Sequence, residues 1–147
     1  MKLIDSHETV MLVTGSGPAA TEKDRPLAEW LKAEIDRRGE GHTYRRALIV
    51  SDERFFDSRA LEPSPAIAIG GPGVNALAAE CVGAAPTVWN LPDQAWIQAD
   101  FEGDMKRAAL WGVDATATRI AVEAFVAQGF LDDLLDRIWR FRGPVFV

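Results

Sequence analysis

Three times along this chain a short apolar run leads into a turn and then into an amphipathic segment, and that repeated order constrains the fold most. Strands alternating with helices bury their apolar faces as a mainly parallel sheet with helices on both sides and right-handed crossovers. The first unit runs from Thr9-Val10-Met11-Leu12-Val13-Thr14 through Gly15-Ser16-Gly17 to a helix. There Asp24 reads as an N-cap, Pro26 suits the first turn, and Leu27, Trp30, Leu31 and Ile35 fall on one side. The second is the strand Ala66-Ile67-Ala68-Ile69, the turn Gly70-Gly71-Pro72-Gly73-Val74-Asn75 and the helix opening Ala76-Leu77-Ala78. The third passes from Ala108-Ala109-Leu110-Trp111 through Gly112-Val113-Asp114 to a helix reaching about Gln128, capped by Asp114 or Thr116.

The pieces between these units fill in the pattern. Arg46-Ala47-Leu48-Ile49-Val50 predicts a strand apolar enough to be central, ending at Ser51-Asp52. Residues 53–65 read as a loop with room for a short helical turn. Thr87-Val88-Trp89 predicts a further strand, and Glu102-Gly103-Asp104 is a turn able to join two antiparallel strands, with a helical start at 103–106 as the competitor. A last helix is expected over 131–139, where Leu131, Leu134, Leu135, Ile138 and Trp139 recur at helical spacing. The expected fold is a single α/β domain over 1–147, three-layered and Rossmann-like or flavodoxin-like, its sheet mainly parallel with room for an antiparallel edge.

In such a sheet ligands gather outside the carboxyl ends of the strands, and four turns that follow strands are therefore the candidate site. Gly70, Gly71 and Gly73 permit close backbone approach, and the amides opening the next helix lack carbonyl partners of their own. Together with the Asn75 side-chain amide they form a candidate cradle for a phosphate or carboxylate; a tight turn that merely clears the packing is the alternative. Gly15, Ser16 and Gly17 add a second anion turn with a hydroxyl donor, and Ser51, Asp52 and Asp114 stand at neighbouring strand ends. The turn is neither a complete dinucleotide fingerprint nor a phosphate-binding P-loop, because Gly-x-Gly-x-x-Gly spacing and a following Lys-Ser or Lys-Thr are both missing.

Other chemistries find less in the sequence. The formal net charge of −6 disfavours nucleic acid and anionic membrane as partners, and the clusters Arg45-Arg46 and Arg137, Arg140, Arg142 read as solvated charges. The two histidines, His7 and His42, precede predicted strands, away from the glycine turns, and with one cysteine they lack zinc-ligand spacing. That cysteine, Cys81, reads as part of a buried helix face with Val74, Leu77, Ala78 and Val82. The first residues lack a long apolar signal core, which makes the cytoplasm the default expectation. Asp52, then Asp114, are the acids available for catalysis at the turns; no cofactor is implied.

Two resemblances bear on these motifs. Val13-Thr14-Gly15-Ser16-Gly17 with Ala28 to Gly39, and Ile69-Gly70-Gly71-Pro72-Gly73, are similar to the two glycine turns of the SLOG superfamily. The resemblance implies a Rossmann-like domain that binds nucleotides or hydrolyses their N-glycosidic bonds. The hydrolase pattern Gly-Gly-x-Gly-Thr-x-x-Glu meets Val74 at its Thr and Leu77 at its Glu, so the family's catalytic acid has no counterpart there. Gly70 to Asn75 and Gly112 to Arg119 also resemble paired segments of archaeal surface-layer proteins, which implies a structural role for the turns. The sequence thus favours a non-catalytic module binding an anionic small molecule, a nucleotide above all. Its rivals are a nucleotide-processing hydrolase and a protein-interaction or self-association module using Trp139, Phe141 and the apolar tail Gly143-Pro144-Val145-Phe146-Val147.

Overall fold

A computed structural model describes residues 5–139, and the tail at 143–147, with Arg140, Phe141 and Arg142, lies outside the described residues. The elements follow in the order β1 (Val10–Thr14), α1 (Pro18–Arg38), β2 (Ala47–Ser51), α2 (Asp52–Asp57), β3 (Ala66–Ile69) and α3 (Ala76–Ala84). Then come β4 (Thr87–Leu91), β5 (Ala95–Asp100), β6 (Arg107–Gly112), α4 (Ala115–Ala127) and α5 (Phe130–Ile138). The six strands form one sheet in the order β2-β1-β3-β6-β5-β4. The first four in that order pair in parallel, and β5 and β4 add an antiparallel edge. The turn at 102–104 joins β5 to β6, as the antiparallel reading expected.

Alternation along the central strands explains how both faces of this sheet become core. Val10 and Leu12 of β1, Ile67 and Ile69 of β3, and Ala108 and Leu110 of β6 join one apolar cluster, which Leu31 and Ile35 of α1, Phe125 of α4 and Leu134 of α5 complete. Met11, Val13, Ala66, Ala68 and Ala109 face the other way, against Phe55 of α2 and Leu77, Ala78 and Cys81 of α3. The parallel strands are short and buried on both faces, so they read as nearly unbroken apolar runs.

Several elements differ from expectation. The first helix starts at Pro18, capped by the extended backbone of Gly17, and Asp24 is a buried residue inside it, not its cap. Capping rules point to Asp24 because Pro26 follows closely, yet Pro18 supplies the same first-turn signal directly after Gly17. Trp30, placed by spacing on the apolar side, is 43% exposed, while Leu31 and Ile35 are fully buried. Strand β2 is an edge strand and not a central one: β1 is its partner, and α1 and α2 pack over it, which accounts for its apolar sequence. Residues 52–57 form a true helix directly after β2. On α3, Leu77, Ala78 and Cys81 are buried as expected, whereas Val82 on the helix and Val74 in the turn before it are exposed.

Trp139 also departs from its expected role in docking a partner. Its side chain is buried in the first cluster, and its indole N–H donates to the Glu8 carbonyl at 2.7 Å. Among the described residues, no helix is long and apolar enough to cross a membrane.

Candidate carboxyl-edge site between β1 and β3

Because β1, β2, β3 and β6 run parallel, the turns that follow them share one edge of the sheet. The chain leaves β1 toward β2 on one side and reaches β3 on the other. The carboxyl ends of β1 and β3 therefore flank the point where the strand order reverses, which is where open α/β sheets hold their ligands.

The two glycine turns meet there in backbone contact. A Cβ on Gly15 would lie 2.1 Å from the Val74 carbonyl oxygen, so only glycine lets the turns approach this closely. Gly70 has φ +115°, a conformation L side chains rarely adopt, and a Cβ there would lie 2.6 Å from Asp24 Oδ2. Gly73, in contrast, has open space around the Cβ direction.

Asn75 binds the two strands together. Its Nδ2 donates to the carbonyls of Val13 at 2.8 Å and Ile69 at 3.2 Å, while Oδ1 accepts from the amides of Leu77 at 3.0 Å and Ala78 at 3.3 Å. The side chain is 1% exposed, and all four of its hydrogen-bonding positions are filled. Asn75 thus caps α3 and fastens β1 to β3, with no amide donor left over for a ligand.

Asp52 takes the position an external anion would occupy. One of its oxygens accepts from the Ser16 hydroxyl and from the Glu53 amide at 2.8 Å, and the other accepts from the Ala76 amide at 2.8 Å. The opening amides of α3 are therefore engaged by the chain's own carboxylate and by Asn75, the internal version of an anion at a helix N-terminus. Ser51 accepts from the Arg54 amide at 3.2 Å and caps α2.

Asp114 has a similar local task. Its carboxylate accepts from the Ala117 amide at 2.8 Å, and its carbonyl accepts from the Thr118 hydroxyl at 3.0 Å. Thr118 in turn accepts from the Gly112 amide at 3.1 Å, which locks the turn after β6.

What remains available at this edge is backbone. Among the described residues, the amides of Ser16, Gly71 and Gly73 donate to no protein acceptor, and Ser16 and Gly73 are exposed. Trp111 stands beside them: its Cε3 lies 3.5 Å from the Cβ position of Gly71, and its ring stacks on Trp96 with centroids 4.5 Å apart.

Asp24 is the residue that sequence reasoning missed. Its position inside α1 brings it against Gly70 with 6% of its surface exposed. Burial pushes its carboxyl up to about 6, with Lys23 on the same helix pulling weakly the other way. The signal was present in the sequence as an acid on the apolar stripe three residues before Leu27, but capping explained it locally.

The remaining chemistry-bearing groups lie elsewhere. The Cys81 thiol is buried and pushed up to about 11, the state of a packing residue and not of a nucleophile. His7 helps line a cavity of about 620 Å³ with Pro63, Pro65 and Lys106, and Lys106 immediately precedes β6, so this cavity lies toward the amino edge. A groove of about 300 Å³ between α1 and α4 is walled by Pro26, Leu27, Trp30 and Val122. Its charged rim residues, Arg119 and Glu123, pair with each other at 3.0 Å, so it offers no convergent polar groups. Among the described residues, no three His, Cys, Asp or Glu side chains are arranged to hold a metal ion. No protein-family model matches the chain, and no curated protein matches it either.

Proposed function

We propose that this protein is a three-layered, Rossmann-like binding module that holds an anionic small molecule at the crevice between the carboxyl ends of β1 and β3. A nucleotide is favoured over a simple carboxylate, and the module binds without catalysing a reaction. The observation that carries this reading is the backbone contact of Gly15 with Val74, which brings both glycine turns to the point where the strand order reverses. The anion is received by the amides of Ser16, Gly71 and Gly73, because Asp52 and Asn75 already engage the start of α3. The half-buried Trp111 beside Gly71 offers a flat apolar surface suited to a base. The likeness of both turns to those of SLOG domains agrees with this reading. The engagement of Asp52 and Asp114 in fixed internal hydrogen bonds supports binding over hydrolysis.

The open space at Gly73 supplies the test. Gly73→Val places a branched side chain at the exposed turn without a clash in the fold. In thermal melts against a panel of nucleotides, the wild type gains melting temperature with at least one nucleotide, and the variant loses that gain while its ligand-free melt is unchanged. Equal shifts in both proteins across the panel would contradict the proposal.

A second reading is favoured by one observation, the internal carboxylate of Asp52 on the Ala76 amide. On this reading the turns serve architecture alone, as the surface-layer resemblance implies. It predicts no nucleotide-dependent shift in either protein.

A further inference from the structure

Asp24 is nine-tenths buried, and no hydrogen-bond donor among the described residues reaches its carboxylate. Its carboxylate oxygens are not sealed from solvent, so the side chain is buried along its stem and can still accept a donor from outside the chain. Its Oδ2 lies 2.6 Å from the Cβ position of Gly70, so the missing side chain there is what admits the carboxylate against the turn. The free amides of Gly71 and Gly73 follow directly in the same turn. The crevice thus sets an acceptor that wants a donor next to donors that want an acceptor.

We propose that Asp24 is the specificity contact of the carboxyl-edge site, accepting a hydrogen bond from a hydroxyl or amino group on the same anionic ligand that the glycine-turn amides receive. This rests on the binding function proposed above and narrows its ligand class. The ligand carries a phosphate or carboxylate together with a nearby hydroxyl or amine, as nucleotides and sugar phosphates do. Pyrophosphate and simple dicarboxylates carry no sugar hydroxyl or amine that could reach Asp24 while the amides hold the anion. A hydrogen bond to a charged acceptor in a desolvated site is strong enough to decide between such ligands.

Calorimetric titration with four probes tests this. Adenosine monophosphate carries ribose hydroxyls and a base amine, its 2′,3′-dideoxy analogue keeps the amine, inosine monophosphate keeps the hydroxyls, and pyrophosphate has neither. The wild type is expected to bind at least one donor-bearing nucleotide about tenfold or more tightly than pyrophosphate. In Asp24→Ala that preference disappears because affinity for the donor-bearing nucleotide falls, while pyrophosphate, relieved of the carboxylate's repulsion, binds no more weakly than to the wild type. Asp24→Asn, which keeps one acceptor oxygen and the side-chain size, retains part of it and guards against a folding defect in the alanine variant. The arm that falls with the missing group tells hydroxyl from amine. If Asp24→Ala keeps the wild-type preference, the role of Asp24 is wrong while binding at the turns stands. If none of the four binds the wild type, the binding function fails and this inference fails with it.

Discussion

Asn75 and Asp24 show how differently two buried polar side chains can stand at one edge. Asn75 is satisfied on all four positions, and its removal orphans two strand carbonyls and two helix amides at once. Asn75→Ala is expected to destabilise the fold by about 3 kcal/mol or more, the sum of a lost cap and unsatisfied buried groups. Urea denaturation checks this, and a loss under about 1 kcal/mol would show that the β1–β3 fastening lies elsewhere. Asp24 works against stability instead. Burial pushes its carboxyl up to about 6 in the fold against 3.8 as its ordinary value, so only well below pH 3.8 is it protonated in both states, where it costs nothing as a charge. As the pH rises through 4 to 6 the unfolded chain releases the proton first, and the folded state loses stability until both forms are ionised. Asp24→Asn removes this dependence. The stability difference between variant and wild type should move in the variant's favour by about 1–2 kcal/mol between pH 4 and pH 7, the shift being discounted for solvent screening of a partly solvated carboxylate. Denaturation curves at the two pH values measure it, and an unchanged difference would place Asp24 in a solvated setting.

At the scale of elements, the turns after β1 and β3 are held together by a contact that tolerates no side chain at Gly15. Gly15→Ala should lower the melting temperature by several degrees or prevent folding, because the added carbon meets the Val74 carbonyl, while Gly73→Ala should leave it unchanged. Equal behaviour of the two variants would separate the turns. Arg107 performs a comparable task at the other end of β3 and β6. Its guanidinium donates to the carbonyls of Ser64 and Glu62 and lies over the Phe55 ring at 5.3 Å, pinning the segment before β3 to β6. Arg107→Met is expected to cost about 2–3 kcal/mol, read by urea denaturation, since it strips those carbonyls of a charged donor. A cost below about 0.5 kcal/mol would mean that water replaces the clamp.

What the sequence revealed follows the same division. The strand, turn and helix from Ala66 to Ala84 was legible because its signals are local: apolar run, glycines, then an Asn cap. Most of the helices, the antiparallel turn at 102–104 and the gathering of the four turns on one edge were legible for that reason too. The edge position of β2 was not, because apolar content reports burial under helices as readily as centrality. Nor was the use of Asp52, whose partners Ser16 and Ala76 lie on different units of the chain. Capping preferences describe neighbours in sequence and so point to Asp24 as a cap, whereas in the fold its carboxylate packs against Gly70 in the turn after β3.

For the whole molecule, a sheet with four parallel strands and an antiparallel edge is proposed to hold its ligand at the reversal of strand order between β1 and β3. The proposed anion contacts are the free amides of the glycine turns, because the start of α3 is closed off by Asp52 and Asn75. Amide chemical shifts report both halves of that claim residue by residue. On titrating isotopically labelled protein with adenosine monophosphate, the amide resonances of Ser16, Gly71 and Gly73 should move most, and those of Leu77 and Ala78, held by Asn75, should stay near their ligand-free positions. Saturating nucleotide that leaves all three turn amides in place, or shifts that map to the groove between α1 and α4 instead, would contradict the account.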